Sequence, residues 1–384
     1  MKNSFFSEFR EMRRFQKLDR AERKIVFYAE SESYWGYLEP FIRCLIEEGG
    51  ESVCYLTSSL NDPLLTGNVA KIRPFFIGKG SVRTMLFASL DADVMVMTLP
   101  DMGTYNLKRS KYPVHYVFVP HNMLSTHMVF RKRAFDAFDT FFCVGPHHLA
   151  ELREAEKLYG LSPRNLVENG YARLDVLYEE AKRRSLPPSS SKPRILIAAT
   201  RPPYSFLETV GVDLIRFLLS AQYTIFVRPH RDTQRIHIDS LRKHFEGEEN
   251  FILATGKRGH DAFFESDLLI TDWSGSALSF AFARERPVMF IDSPCKILNP
   301  EYKQFQNPPL ETVIREKIGA VLQPERLCDA PKIIETLCSR KEEWAERIRV
   351  QRDRWVYNLG NAARAGAVCL TGLATESATG FKSL

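Results

Sequence analysis

The chain has 384 residues, more than one ordinary domain of about 100–200 residues holds and enough for two. With 44% hydrophobic and 26% charged residues it has the composition of a globular protein, which excludes wholesale disorder. The net charge of +6 is uneven: residues 1–24 hold eight Lys/Arg against four acids, so the body beyond them is nearly balanced and is not a general nucleic-acid binder. No apolar run reaches the roughly 18 residues of a bilayer span, and the charged start is not that of a signal peptide. The seven cysteines are scattered, odd in number and free of CxxC pairs. They predict free thiols in a reducing cytoplasm rather than a disulfide framework or a zinc ribbon.

The first 23 residues read as a basic amphipathic helix. Phe5, Phe9, Met12 and Phe15 share one side at helical spacing, Lys2, Arg10, Arg13, Lys17, Arg20 and Lys24 share the other, and Phe6 breaks the pattern. Such a helix either lies on the anionic inner face of a membrane or packs its phenylalanines onto the body. From Lys24 onward, apolar strand-like runs alternate with helical patterns, the sign of an α/β fold with parallel sheets. Strands are predicted at 24–30, 52–57, 92–99, 115–120, 140–145 and 165–170, with helices at 37–50, 81–90 and 147–159 between them. Residues 182–194, KRRSLPPSSSKPR, form the clearest linker. A second set follows: strands at 194–200, 223–229, 250–255, 267–272 and, last, 287–292. Helices are predicted near 207–220, 240–245 and 275–285. A helical stretch over about 331–371 closes the chain. The organisation predicted is a leader (1–23), a first Rossmann-like domain (24–185), a linker (186–193), a second Rossmann-like domain (194–330) and C-terminal helices with a tail (331–384).

Two doubly wound sheets facing each other make a cleft, and ligands of such sheets sit beyond the carboxyl ends of strands. His121 follows the strand at 115–120. An imidazole there can take a proton from an acceptor hydroxyl, or bond a loop carbonyl. His230 follows the strand at 223–229, flanked by Arg228 and Arg231. Guanidinium forks match phosphate oxygens and keep their charge, so this run suits a diphosphate. The stretch Asp267-LLITDWSGSALSF ends a buried strand at Asp272 and opens a helix at Ser274, Gly275 and Ser276. Small residues there cap the helix and leave N–H groups for an anion. Gly275 also lets a phosphate approach the backbone. Gly170 permits a tight turn, across which Arg173 and Asp175 are placed to pair.

Other signals are weak. Asp91-Ala-Asp93 imitates a metal-binding DxD but stands at the starting end of its strand. His147-His148 with Cys143 fits no common zinc spacing. There is no GxGxxG, GxxxxGK[ST] or GxSxG. No metal and no cofactor is predicted.

At these residues the sequence resembles the CDP-glycerol glycerophosphotransferases of teichoic-acid and capsule synthesis. The matching positions are His121, the turn Gly170-Tyr-Ala-Arg173 with Asp175, Arg228-Pro-His230, Ser266-Asp267 through Asp272-Trp-Ser274, and Arg286-Pro-Val-Met-Phe290. They cover about residues 115–292. The sequence departs from the family pattern at His121-Asn-Met-Leu124, at Arg231 after His230, and at Gly275 and Ser279. The resemblance implies a GT-B fold and a transferase acting on a nucleotide-activated donor and a polymer or lipid-linked hydroxyl acceptor. It further implies His121 as base toward the acceptor, and His230 with Ser274 and Ser276 on the donor phosphates. Two other readings stay open: a GT-B sugar transferase using an NDP- or CMP-sugar, and a non-catalytic nucleotide-binding component of a polysaccharide assembly complex.

Overall fold

The computed structural model describes residues 2–67, 69–103, 107–184 and 192–380, with the side chains of 2–4 and 377–380 left aside. Most of the linker expected at 186–193 lies outside the described residues. The first half holds α1 (Lys2–Gln16), β1 (Ile25–Ala29), α2 (Trp35–Glu47), β2 (Val53–Thr57), β3 (Ile72–Phe76), α3 (Ser81–Ala88), β4 (Val94–Met97), β5 (His115–Phe118), β6 (Thr140–Cys143), α4 (Pro146–Tyr159), β7 (Asn165–Glu168) and α5 (Ala172–Arg183). The second holds β8 (Arg194–Ile197), α6 (Gly211–Ser220), β9 (Thr224–Val227), α7 (Arg235–His244), β10 (Phe251–Leu253), α8 (Gly256–Glu265), β11 (Leu268–Thr271), α9 (Ser276–Arg284), β12 (Val288–Ile291), α10 (Leu310–Val313), α11 (Arg315–Ile318) and β13 (Gly319–Leu322). Then come α12 (Ala330–Ser339), α13 (Lys341–Trp355) and α14 (Ala362–Gly380).

Both sheets are parallel and share one winding. The seven-stranded sheet runs β3-β2-β1-β4-β5-β6-β7, and the six-stranded sheet runs β10-β9-β8-β11-β12-β13. In each, the strand order reverses beside the first strand, which opens a crevice at the carboxyl ends there. The central strands β1, β2, β4, β6, β11 and β12 are buried throughout. Their continuous apolar runs follow from helices covering both faces of a parallel sheet.

Two strands escape the sequence pattern, and both are edge strands. In β3, Pro74 interrupts the run; an edge tolerates a proline because one side of the strand needs no ladder bonds. β13 extends the second sheet beyond β12, the last strand that the sequence pattern predicts. It is four residues long and starts at Gly319, where a Cβ would meet the Val288 carbonyl oxygen at 1.6 Å.

The leader is docked, not free. Met12 and Phe15 are buried, Phe15 meets Phe75 edge-on at 5.4 Å, and Arg14 lies over the Phe75 ring at 4.3 Å. Arg20 bonds Asp91 at 3.0 Å and Asp93 at 2.9 Å, which turns the DxD look-alike into an ion-pair anchor. Phe5 and Phe6, at the far end of α1, stay exposed.

The C-terminal helices divide. α12 and α13 pack on the second sheet's layer, while α14 returns to α2 of the first. Asp175 fixes this crossing. Its carboxylate accepts the Gly360 and Ala362 N–H groups at 2.8 and 2.9 Å, capping the start of α14. It does not pair with Arg173, as its sequence spacing had allowed. Gly170 serves the same crossing: at φ +88 its missing side chain makes room for the Tyr357 carbonyl, which a Cβ would meet at 2.2 Å.

Candidate functional site

The carboxyl ends of the two sheets face one cavity of about 490 Å³. From the first sheet come Ser33, Tyr34, Tyr37, His121, Asn122 and Arg173. From the second come Thr200 and Arg201 after β8, Arg228 to Asp232 after β9, Trp273 to Ser276 after β11, and Lys296 after β12. The volume suits a ligand of nucleotide-diphosphate size. Five of these side chains carry cationic groups, Arg173, Arg201, Arg228, Arg231 and Lys296, and burial lowers the pKa of Lys296.

His121 is fixed by its neighbour strand. Thr98 follows β4, and its carbonyl oxygen lies 3.3 Å from His121 Nδ1. A carbonyl only accepts, so the proton sits on Nδ1 and Nε2 keeps its lone pair. Tyr34, Tyr37 and Phe130 meet the ring edge-on. Burial pushes the imidazole down to about 4, and the charges of Lys296 and Arg231 add to this. At neutral pH it is an unprotonated acceptor.

The loop after His121 is gripped from both domains. The His147 and His148 Nε2 atoms reach the Met123 and Leu124 carbonyls at 3.0 and 2.9 Å. Glu151 accepts the Thr126 N–H and hydroxyl, and Glu311, from the second domain, accepts the Ser125 N–H and hydroxyl at 2.9 and 2.7 Å. The His-His pair is therefore loop scaffolding. Among the described residues no group of three or more His, Cys, Asp or Glu could hold a metal ion.

His230 is held the opposite way round. Its Nδ1 accepts the Asp232 N–H at 3.1 Å, so in the neutral ring the proton sits on Nε2. Burial lowers its pKa, against the pull of Asp232. Arg228 lines the same cavity and donates to Ser276 Oγ at 3.3 Å. Ser274 Oγ accepts the Ser276 N–H at 3.2 Å and caps the start of α9.

A profile of the family "CDP-Glycerol:Poly(glycerophosphate) glycerophosphotransferase" matches residues 119–362, more than half of the chain. The chain belongs to this glycerophosphotransferase family. It is a transferase. No curated protein matches the chain. Among solved structures, the wall teichoic acid polymerase TagF superposes with a TM-score of 0.64 at 17% identity, over 96% of this chain and 94% of that one. A putative UDP-N-acetylglucosamine 2-epimerase from Listeria monocytogenes superposes with a TM-score of 0.58 at 14% identity, over 90% and 94%. MurG of Acinetobacter baumannii does so at 0.51 and 12% identity, over 91% and 99%. At these identities the shared feature is the GT-B-like fold of two facing Rossmann-like domains.

Within this glycerophosphotransferase, the structure sorts the residues singled out in the sequence. His121, Arg173, Arg228, His230, Arg231, Ser274, Gly275 and Ser276 line one cavity. Asp272 stands behind it. Its carboxylate accepts the Thr200 and Phe206 N–H groups at 2.8 and 3.4 Å, and burial pushes it up to about 7. It shapes the β8 loop and does not line the cavity. Gly170 and Asp175 belong to the α14 crossing. Gly275 has a second use: a Cβ there would meet Asn122 Cβ at 3.2 Å, so the glycine lets the two domains close on each other. Arg231 turns across the cleft mouth, donating to Ser33 Oγ and, at 2.7 Å, to the Tyr34 hydroxyl. Sequence reading missed Tyr34, Tyr37, Arg201 and Lys296. The strand-end rule applied to β8 would have found Arg201.

Proposed function

We propose that the protein transfers glycerol phosphate from CDP-glycerol to a hydroxyl of a glycerol-phosphate polymer or lipid-linked acceptor. The observation that carries this reading is the opposed pair of imidazoles, one with a free lone pair and one with a free N–H, across a cation-lined cavity. The acceptor hydroxyl gives its proton to His121 Nε2 as its oxygen bonds to the phosphorus that carries glycerol. The bond from that phosphorus to the bridging oxygen breaks, and the electron pair leaves on CMP. His230 Nε2–H, Arg228 and the start of α9 hold the growing charge on the leaving phosphate. Arg231 joins them when its bonds to Ser33 and Tyr34 open.

Purified protein with CDP-[¹⁴C]glycerol and a glycerol-phosphate oligomer is expected to give labelled, longer product and stoichiometric CMP. Turnover of a UDP-sugar in its place would move the reading to sugar transfer. Donor binding without any product would move it to a scaffold.

Membrane contact through α1 is the second part of the proposal. Phe5 and Phe6 are 44% and 71% exposed, Arg10 and Arg13 are exposed along the same helix, and Lys17 is exposed just past its end. This free end suits an anionic surface on the cytoplasmic side, where a lipid-linked acceptor would be met. Among the described residues no helix is long and apolar enough to cross a membrane. Phe5→Glu/Phe6→Glu is expected to end flotation with phosphatidylglycerol vesicles while leaving the docked half of α1 intact. Unchanged flotation of that variant removes this part.

A further inference from the structure

Lys296 stands on the segment after β12 and lines the cleft cavity. The residues on either side of it are fastened to the loop that begins at His121. Cys295 Sγ lies 3.8 Å from Met128 Sδ, the Leu298 N–H donates to the Met128 carbonyl at 2.9 Å, and Asn299 Nδ2 donates to the His127 carbonyl at 3.0 Å. The lysine and the histidine are thus parts of one interlocked structure, although they come from different domains.

The ammonium makes no ion pair among the described residues. Burial and the charge of Arg201 lower its pKa, and the two carboxylates whose fields act the other way, Glu311 and Asp272, are already bonded, by Ser125 and by Thr200 and Phe206. Its own charge reaches both His121 and His230 and helps push both imidazoles down. It therefore sits within electrostatic reach of the base on one side and the phosphate-facing histidine on the other. A partly dehydrated cation with no counter-ion is costly in the empty protein, and an anionic ligand supplies the missing partner.

We propose that Lys296 is a further catalytic residue, whose ammonium contacts the non-bridging oxygens of the phosphoryl group being transferred. Arg228, His230 and the start of α9 are left to the nucleotide's own phosphate. The assignment rests on the transfer reading above. In the step, the acceptor oxygen–phosphorus bond forms and the bond to the nucleoside monophosphate breaks. The electron pair leaves with that monophosphate, and the acceptor proton goes to His121 Nε2. Lys296 exchanges no proton; it neutralises charge on the phosphorus oxygens as the nucleophile enters.

The test separates the two phosphates of the donor. CMP carries only the leaving phosphate, whereas CDP-glycerol carries both. Lys296→Ala is expected to lower kcat with CDP-glycerol about 10²–10³-fold, the loss typical of one positioned donor to a developing charge. Its Kd for CMP, by calorimetry, should stay within about twofold of wild type, because none of the transferred group is present. Lys296→Arg should recover at least about tenfold of the lost kcat, since the charge returns in a different shape. Lys296→Met, which keeps the bulk and removes the unpaired charge, should hold or raise Tm. Wild-type kcat in Lys296→Ala overturns the assignment. So does an equal loss of CMP and CDP-glycerol affinity, or a fall in Tm of Lys296→Met that tracks its loss of kcat. A wild-type protein that binds CMP but turns over no CDP-glycerol removes the transfer reading itself, and this assignment with it.

Discussion

Two histidine loops occupy equivalent places, each at the carboxyl end of a parallel strand, yet they are held very differently. The loop from His121 to Val129 is largely buried and is gripped by α4 of its own domain and by Asn299 and Glu311 of the other. The loop from His230 to Gln234 is largely exposed. Its internal bonds are the Asp232 N–H to the imidazole and the Thr233 N–H to the His230 carbonyl, and Arg231 ties it to the opposite lip. The two proposed roles would ask for that difference. A general base needs a lone pair within hydrogen-bond reach of one proton, so small displacements are expensive. A phosphate clamp works through the field of several donors, which tolerates some freedom and lets the nucleotide enter and leave.

Removing each imidazole breaks the comparison most directly. His121→Ala is expected to lower kcat by about 10³–10⁴-fold while the Kd for CMP stays near wild type. His230→Ala should cost about 10²-fold in kcat/KM, with weaker CMP binding as part of it. If both variants lose CMP affinity alike, the division between acceptor side and donor side fails.

The next test uses pH. Burial holds the His121 pKa near 4 in the folded protein, against about 6.5 in an unfolded chain. The imidazole is neutral above that folded value, so the acid limb of kcat/KM, which reports the free enzyme, should lie well below 6.5. The limb of kcat should lie higher, because bound diphosphate favours the imidazolium. Stability carries the same sign. Between pH 6.5 and 4 the unfolded chain binds more protons at this site, so the contribution of neutral His121 is lost as pH falls through that window. His121→Gln should flatten the dependence of Tm on pH there. A kcat/KM limb that stays at 6.5 would show an imidazole in open water.

The grip on the loop after His121 is expected to show in stability as well. Glu311→Ala leaves the Ser125 N–H and hydroxyl buried without acceptors, which costs about 1–3 kcal/mol. Urea unfolding should show this loss, and Glu311→Gln should restore most of it. An unchanged midpoint for the alanine variant would mean that water replaces the carboxylate and that the loop is less enclosed than its contacts show.

Much of this was legible in the sequence because strand ends are where it is most explicit. Continuous apolar runs such as Val94–Met97 and Leu268–Thr271 mark buried parallel strands, and the residues after them must be the loops of the cleft. That is how His121, Arg228, His230 and Ser274 to Ser276 were found. What stayed hidden was long-range. Nothing near Asp175 in the sequence shows that it caps a helix starting at Ala362. Asp272 reads as an anion-site residue until its carboxylate is seen holding Thr200 and Phe206. Lys296 sits in a proline-flanked segment without periodicity, and only the fastening of that segment to His127 and Met128 gives the lysine its place. The phenylalanine side of α1 was visible, but not that Met12 and Phe15 are spent on the body while Phe5 and Phe6 remain free.

The smallest effect belongs to the lip. Arg231 is half exposed and bonds Ser33 and Tyr34 across the cleft mouth, with its guanidinium 4.8 Å from the Tyr34 ring centre. Exposed contacts of this kind contribute about 1 kcal/mol or less. Arg231→Ala should therefore leave Tm nearly unchanged. Its kinetic effect depends on what the arginine does once the donor arrives. If Arg231 swings from Tyr34 to the leaving phosphate, the alanine variant loses about tenfold in kcat/KM, and Tyr34→Phe, which removes the hydroxyl that holds the arginine and leaves Ser33 and the ring, keeps or slightly gains activity. If Arg231 only props the mouth, both variants change KM by the same few-fold factor and leave kcat alone. Comparing the two at low and high salt sharpens the answer, because a contact to the leaving phosphate inside the closed cleft is screened less than one at the open lip.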